Sequence, residues 1–252
     1  MSTERVAEAP HFRFRVVPVL TAILLGIGLP YLASEIVEIS RHYSHLVPPM
    51  ADEIGYSYAI HFMLVVLTLI AIGAMQWLVP ADYGLHLPRG KTYLGWALLW
   101  GLAGGLALGG LRYLAVIWEP EVFVRQPHFA VAGHLLGKVI DYGAFVSPSE
   151  EVLFRALLVT FLAAKMPGTV RLAGRSVEVA GLVVALIYAA YAMMMFPSAI
   201  VTIADAACFF ALGVAYAYWQ VQSRSVVAPI VGHSVAGIVM YIVPVMLAFA
   251  PA

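Results

Sequence analysis

The chain has 252 residues, of which 62% are hydrophobic and only 11% charged, and its mean hydropathy is +0.90. Soluble domains carry about 45–50% apolar and about 25% charged residues. This composition therefore excludes a soluble globular protein and points to one polytopic bundle whose first partner is the lipid bilayer. Lysines and arginines (14) balance aspartates and glutamates (14), and with no basic run nothing points to nucleic acid. Cys208 is the single cysteine and lies in an apolar run, which excludes a disulfide framework and reads as a buried thiol.

Arg5, Arg13 and Arg15 precede an apolar run at 16–34. That run is longer than a signal-peptide core, and the site after it only weakly resembles a cleavage site, so an uncleaved first span is expected. Further runs near the 20-residue length needed to cross lipid fall at 59–79, 93–117, 179–196, 200–221 and 226–249. Between the first two lies a mostly acidic loop with Glu35, Glu38, Arg41, Asp52 and Glu53. Arg89 and Lys91 follow the second run, Glu119 and Glu121 the third, and Lys165, Arg171 and Arg175 come after the central region. Basic and acidic loops thus alternate, and the positive-inside rule places the basic set and the N-terminus in the cytoplasm, with a bacterial inner membrane as the expected location.

Two readings fit residues 129–166. Two spans would give eight helices and put Lys165, Arg171 and Arg175 outside. One span at 146–165, preceded by an interfacial segment, keeps them inside. The stretch "FAVAGHLLGKVIDYG" favours the second, because His134, Lys138 and Asp141 recur on one helical face. The expected fold is an all-α polytopic membrane protein, a bundle of seven to eight transmembrane helices, since only helices or closed barrels cross lipid and these runs lack strand alternation. Residues 1–128 are expected to form about three N-terminal spans and loops, and 129–252 a core carrying the chemistry.

That chemistry centres on "SPSEEVLFR", residues 147–155. Pro148 suits the opening of a helix, with Ser147 or Ser149 as its cap. Glu151 and Arg155 are i,i+4 neighbours with the acid first, the better order for a pair. Glu150 points about 100° away, so the same arginine cannot readily neutralise both. One reading is a cap and ion pair at a membrane boundary. The other is a carboxylate in a polar cavity between helices, because an intramembrane charge costs roughly 2.5–3.5 kcal/mol and is functional by default.

"EEVLFR" resembles the E-E-x-x-x-R motif of the CAAX-protease and bacteriocin-processing (CPBP, or Abi) family of intramembrane proteases. In that family an aromatic-x-x-x-His motif follows on a later helix, and a His-x-x-x-Asn motif on the last helix of the core. Here "VVALIYAAYAMMM" places Tyr188 at the aromatic position and Ala192 where the histidine is expected. "VVAPIVGHSVAGIV" places His233 at the third motif's histidine and Gly237 where asparagine is usual. The resemblance covers roughly residues 130–250, and "YGLHLPR" near 83–89 is similar to the family's upstream loop.

It implies a CAAX-protease-like core and an endopeptidase acting on a peptide or protein at the membrane. Glu150 would activate water, Glu151 would pair with Arg155, and His233 would polarise the carbonyl or, with Glu150, bind a metal, zinc being the candidate cofactor. A general base needs a tuned carboxylate, and an oxyanion needs fixed donors or a Lewis acid where water is scarce. Ala192 and Gly237 leave a thin ligand set, since catalytic zinc takes three protein ligands. Asp205, a lone acid in "SAIVTIADAACFF", is either a packing residue or a partner for His233 that fills the gap. The sequence leaves open an active protease and an inactive family member serving as scaffold or accessory subunit of a membrane complex. A transporter would distribute polar residues and broken helices over both halves.

Two further features carry less. His42 and His45, near Asp52 and Glu53, read as a solvated loop in preference to a metal site. Met193, Met194 and Met195, with Tyr188, Tyr191, Tyr216 and Tyr218, read as packing and interface anchors.

Overall fold

The computed structural model describes residues 15–43, 53–118, 135–195 and 202–248. Arg5, Arg13, His45, Asp52, Glu119, Glu121 and His134 lie outside them. Among the described residues the chain is mostly helical. In chain order the helices are α1 (Val16–Tyr43), α2 (Glu53–Leu78), α3 (Leu94–Trp118), α4 (residues 135–165), α5 (Val179–Met195), α6 (Thr202–Ser223) and α7 (Val227–Ala248). α1, α2, α3 and α7 are each long and apolar enough to cross a membrane, and α5 is apolar but shorter.

The first acidic stretch is not a loop. Glu35, Glu38 and Arg41 continue α1, because Ala33 and Val37 keep an i,i+4 apolar stripe buried while the charges stay exposed. Nor does a helix open at Pro148. α4 runs continuously from 135 to 165, so Lys138 and Asp141 belong to the same helix as the two glutamates. Val146 before Ser147 is already helical, and no serine side chain caps the segment. Proline inside a helix removes a backbone bond and crowds the preceding turn. Here it is accommodated beside a π-helical stretch at Asp141–Val146, and a second stretch follows at Val152–Val159.

α4 is the central element. All eight residues of Val152–Val159 are buried, Arg155 included, as expected of a helix surrounded on every side. It packs against α1, α2, α5, α6 and α7. Among the described residues α3 packs extensively along α7, and glycine lets the two backbones come close. A Cβ on Gly105 would lie 2.7 Å from the Ala236 carbonyl oxygen, and one on Gly109 would lie 2.8 Å from Val243. Small residues let two backbones approach where lipid supplies no hydrophobic drive.

The chain beyond α4 forms a short hairpin that carries Arg171 and Arg175. β1 (Thr169–Leu172) pairs antiparallel with β2 (Arg175–Glu178) across Ala173 and Gly174, both at positive φ. Two residues at positive φ form the primed turn that hairpins favour. The 79–93 segment folds onto the turn between α6 and α7: Val226 N–H donates to the Gly84 carbonyl and the Ser225 hydroxyl to that of His86. Within it, both ring nitrogens of His86 are engaged, by the Leu87 carbonyl and by Asp82. Those two acceptors raise the His86 pKa, while His86 and then the Gly84 N–H hold the Asp82 carboxyl below its usual range.

Two outcomes follow. Gly105→Val should destabilise the α3–α7 contact by about 1–3 kcal/mol, read as a lower thermal midpoint in detergent. Gly110→Ala, with no atom near its would-be Cβ, should leave the midpoint unchanged. For the loop, the His86 contribution is complete below about pH 6.5 and is lost as pH rises through its raised pKa. The Asp82 contribution is complete above about pH 4 and is lost as pH falls through its lowered one. Amide exchange at 82–92, corrected for intrinsic rates, should therefore be slowest between about pH 4 and 6.5, and His86→Ala should flatten that profile.

Candidate active site

The site assembles on α4 around a buried ion contact. Glu151 Oε2 lies 3.1 Å from Arg155 Nε, with both side chains fully buried. The approach falls short of hydrogen-bond geometry at both atoms, so it is a charge contact. The guanidinium is enclosed by rings instead: its carbon lies 4.5 Å from the Tyr188 centroid, 5.4 Å from Tyr216 and 5.9 Å from Phe154. Such rings attract a desolvated cation with about 2 kcal/mol. The other carboxylate oxygen, Oε1, lies 2.8 Å from His233 Nδ1. A carboxylate only accepts, so Nδ1 bears the proton, and Nε2 faces the opposite way.

What Nε2 faces is Glu150. Its Oε2 lies 3.7 Å away, beyond direct hydrogen bonding, and the Tyr188 hydroxyl is 3.4 Å from the same nitrogen. The adjacent glutamates thus have different surroundings: Glu151 is sealed between Arg155 and His233, whereas Glu150 opens into a cavity of about 260 Å³. His233, Tyr188, Tyr142 and His61 line that cavity with it.

His61 comes from α2 and was not anticipated. Its Nδ1 lies 2.8 Å from Ser149 Oγ, and the Ser149 hydroxyl donates to the Val146 carbonyl at 2.8 Å. With the serine proton committed, Nδ1–H is the donor to Ser149, which leaves Nε2 as the free nitrogen of the neutral ring. α2 docks on α4 through two more polar contacts. Ser57 donates to Asp141 at 2.9 Å, and the Tyr58 hydroxyl to the Gly137 carbonyl at 2.8 Å. Lys138 lies 3.3 Å from Asp141. The signal was present in the sequence: Ser57 and His61 are i,i+4 polar residues at the head of an apolar run.

Glu150, Glu151, Arg155 and His233 therefore come together. Asp205 does not join them. It is buried in the first turn of α6, where the charge acting on it is Arg112, and it does not line the cavity. Ala192 does line it. At Gly237 a Cβ would collide with the ring of Tyr142, so this glycine is the space that the tyrosine fills.

Residues 132–239, a little under half of the chain, match the family model described as type II CAAX prenyl endopeptidase Rce1-like. Over these residues the chain is similar to the CAAX-protease family. No curated protein and no solved structure matches the chain. The match begins after α3, so His61 lies outside the Rce1-like segment and yet lines the same cavity as Glu150.

The donor set does not fit a zinc site. Among the described residues no group of three or more His, Cys, Asp or Glu could hold a metal, whereas catalytic zinc takes three protein ligands. The arrangement can instead pair a carboxylate facing a polar cavity with a phenol and two imidazoles whose Nδ1 positions are fixed.

Breaking a buried pair by removing one partner costs about 3–5 kcal/mol. Arg155→Met should accordingly lower the thermal midpoint sharply. The Glu151→Gln/Arg155→Met double variant should lose less than the two single losses combined, a coupling that a double-mutant cycle measures.

Proposed function

We propose that the protein is an intramembrane endopeptidase of the CAAX type, acting on a peptide or protein terminus presented at the membrane. The observation that carries this reading is the placement of Glu150 and His233. They lie 3.7 Å apart on the wall of one polar cavity inside an otherwise apolar bundle, in the segment that is Rce1-like.

In this reading Glu150 accepts a proton from a water in the cavity as that water attacks the scissile carbonyl carbon. The carbonyl oxygen becomes an oxyanion held by the Tyr188 hydroxyl and by His233 when its Nε2 bears a proton. His61 presents a second imidazole to the same space from α2. The proton on Glu150 then passes to the leaving amine as the C–N bond breaks. Glu151 and Arg155 touch neither substrate nor water; they fix the His233 ring and the turn that aims Glu150. No step is assigned to a metal.

Ala192 and Gly237 favour a second reading, an inactive member serving as scaffold or accessory subunit in a membrane complex. One assay separates the two. Purified protein in nanodiscs is incubated with prenylated peptides bearing a quenched fluorophore across the C-terminal bonds. Cleavage by the wild type should fall about 10²–10⁴-fold in Glu150→Gln and about 10²–10³-fold in Tyr188→Phe, with thermal midpoints retained. His61→Ala should also lower kcat. Cleavage unaffected by Glu150→Gln, or none at all, refutes the protease reading.

A further inference from the structure

We propose that the groove between α3 and α6, closed at one end by the β1–β2 hairpin, binds one anionic phospholipid. An acyl chain would lie among Trp96, Trp100 and Phe210, with the phosphate between Lys91 and Arg175.

Two adjoining cavities carry this. The first, about 410 Å³, is walled by Trp96 and Trp100 of α3, by Phe210, Val214 and Trp219 of α6, and by Val177 of the hairpin. That volume is in the range of small-molecule sites, and Arg175 is the one charged residue in its lining. The second cavity, about 720 Å³, lies at its mouth and is lined by Lys91, Thr92 and Tyr93. Trp96, Arg175 and Tyr218 line both. An apolar slot thus opens directly into a basic vestibule, the division of chemistry found in a phospholipid.

Charge selects the occupant. No acidic residue lines either cavity, and Glu178 of the hairpin faces a different cleft. Neither Lys91 nor Arg175 has an ion pair among the described residues. The Arg175 guanidinium carbon rests 5.5 Å from the centroid of the Tyr218 ring, at the junction of the two cavities. Two unopposed cations attract a phosphate whose headgroup is neutral or anionic and repel the choline of a zwitterionic lipid. Each basic residue facing an anionic lipid surface contributes about fivefold in affinity. Tryptophan and tyrosine around the mouth suit the headgroup depth of a bilayer. Trp96 and Trp100 stay about half exposed, at 53% and 46%, so the slot opens sideways to the acyl chains.

The tryptophans make the test direct, and it does not depend on proteolysis. Full-length protein in phosphatidylcholine nanodiscs is titrated with phosphatidylglycerol brominated on its acyl chains, and tryptophan quenching is followed. The expected result is saturable quenching by brominated phosphatidylglycerol well above that by brominated phosphatidylcholine. Lys91→Gln/Arg175→Gln should weaken this preference by about twentyfold. Val214→Trp, which fills the slot and keeps both cations, should abolish the saturable component, and native mass spectrometry should lose the one retained lipid. Equal quenching by both lipids overturns the proposal, as does a preference that survives the double variant. Competition by millimolar inorganic phosphate alone would show a site for the free anion and overturn it too. A change of oligomeric state in Val214→Trp without loss of lipid would assign the groove to a second copy instead.

Discussion

The contact on which the site depends is the fully buried Glu151, held between Arg155 and His233. An arginine with no exposed surface inside an apolar bundle needs a counter-charge, because desolvation is otherwise prohibitive. Glu151 supplies it one helical turn away, and the rings of Tyr188, Tyr216 and Phe154 enclose the rest. The same carboxylate takes the Nδ1 proton of His233 and so decides which nitrogen faces the cavity. Because successive residues on a helix diverge by about 100°, satisfying Glu151 leaves Glu150 aimed elsewhere. One structural pair thereby sets the ring orientation, the free carboxylate and the docking of α7 on α4.

The helices that hold this pair are irregular where the geometry requires it. Pro148 stands mid-helix between two π-helical stretches, and such bulges often mark functional sites. They permit Asp141, Glu150, Glu151 and Arg155 to be buried on one rod while facing different neighbours. α7 can bring His233 into reach because α3 offers it a glycine surface: Gly101, Gly105 and Gly109 each face the α7 backbone or its small side chains. Tyr142, in the first π stretch, occupies the space opened at Gly237.

What was legible in the sequence was whatever breaks an apolar background. Glu150, Glu151, Arg155 and His233 stand out because charge is rare there, and the apolar runs locate four helices to within two residues while stopping short of the polar ends of α1 and α2. Burial was not legible, nor was partner choice beyond the i,i+4 pair of Glu151 and Arg155. Asp205 is as conspicuous as Glu150, but it sits away from the cavity, where the charge acting on it is Arg112 of α3, and only tertiary packing reveals that. His61 was hidden by its surroundings, since a span read by average hydropathy absorbs one histidine without remark. Pro148 reads as a helix start because local propensity cannot register that the preceding turn is already helical. The hairpin at 169–178 turns on Ala173 and Gly174, both at positive φ, but alanine does not signal such a turn, and charge alternation drew the reading toward a plain loop.

The departures at 192 and 237 look different once the cavity is seen whole. Taken along the chain they are losses: a histidine and an asparagine replaced by alanine and glycine. In space they are vacated volume. Tyr142 moves into one, and the region beside Ala192 is shared with His61, whose Nδ1 is fixed by Ser149 from the motif helix itself. A polar cavity in an apolar bundle is unfavourable unless its groups are partnered; here Ser57 pairs with Asp141 and His61 with Ser149 across the α2–α4 boundary, and Lys138 pairs with Asp141 within α4. The polarity that the second and third motifs lack is thus carried by α2 and by the first π stretch. The chemical character of this site therefore belongs to the bundle as a whole, not only to its Rce1-like half.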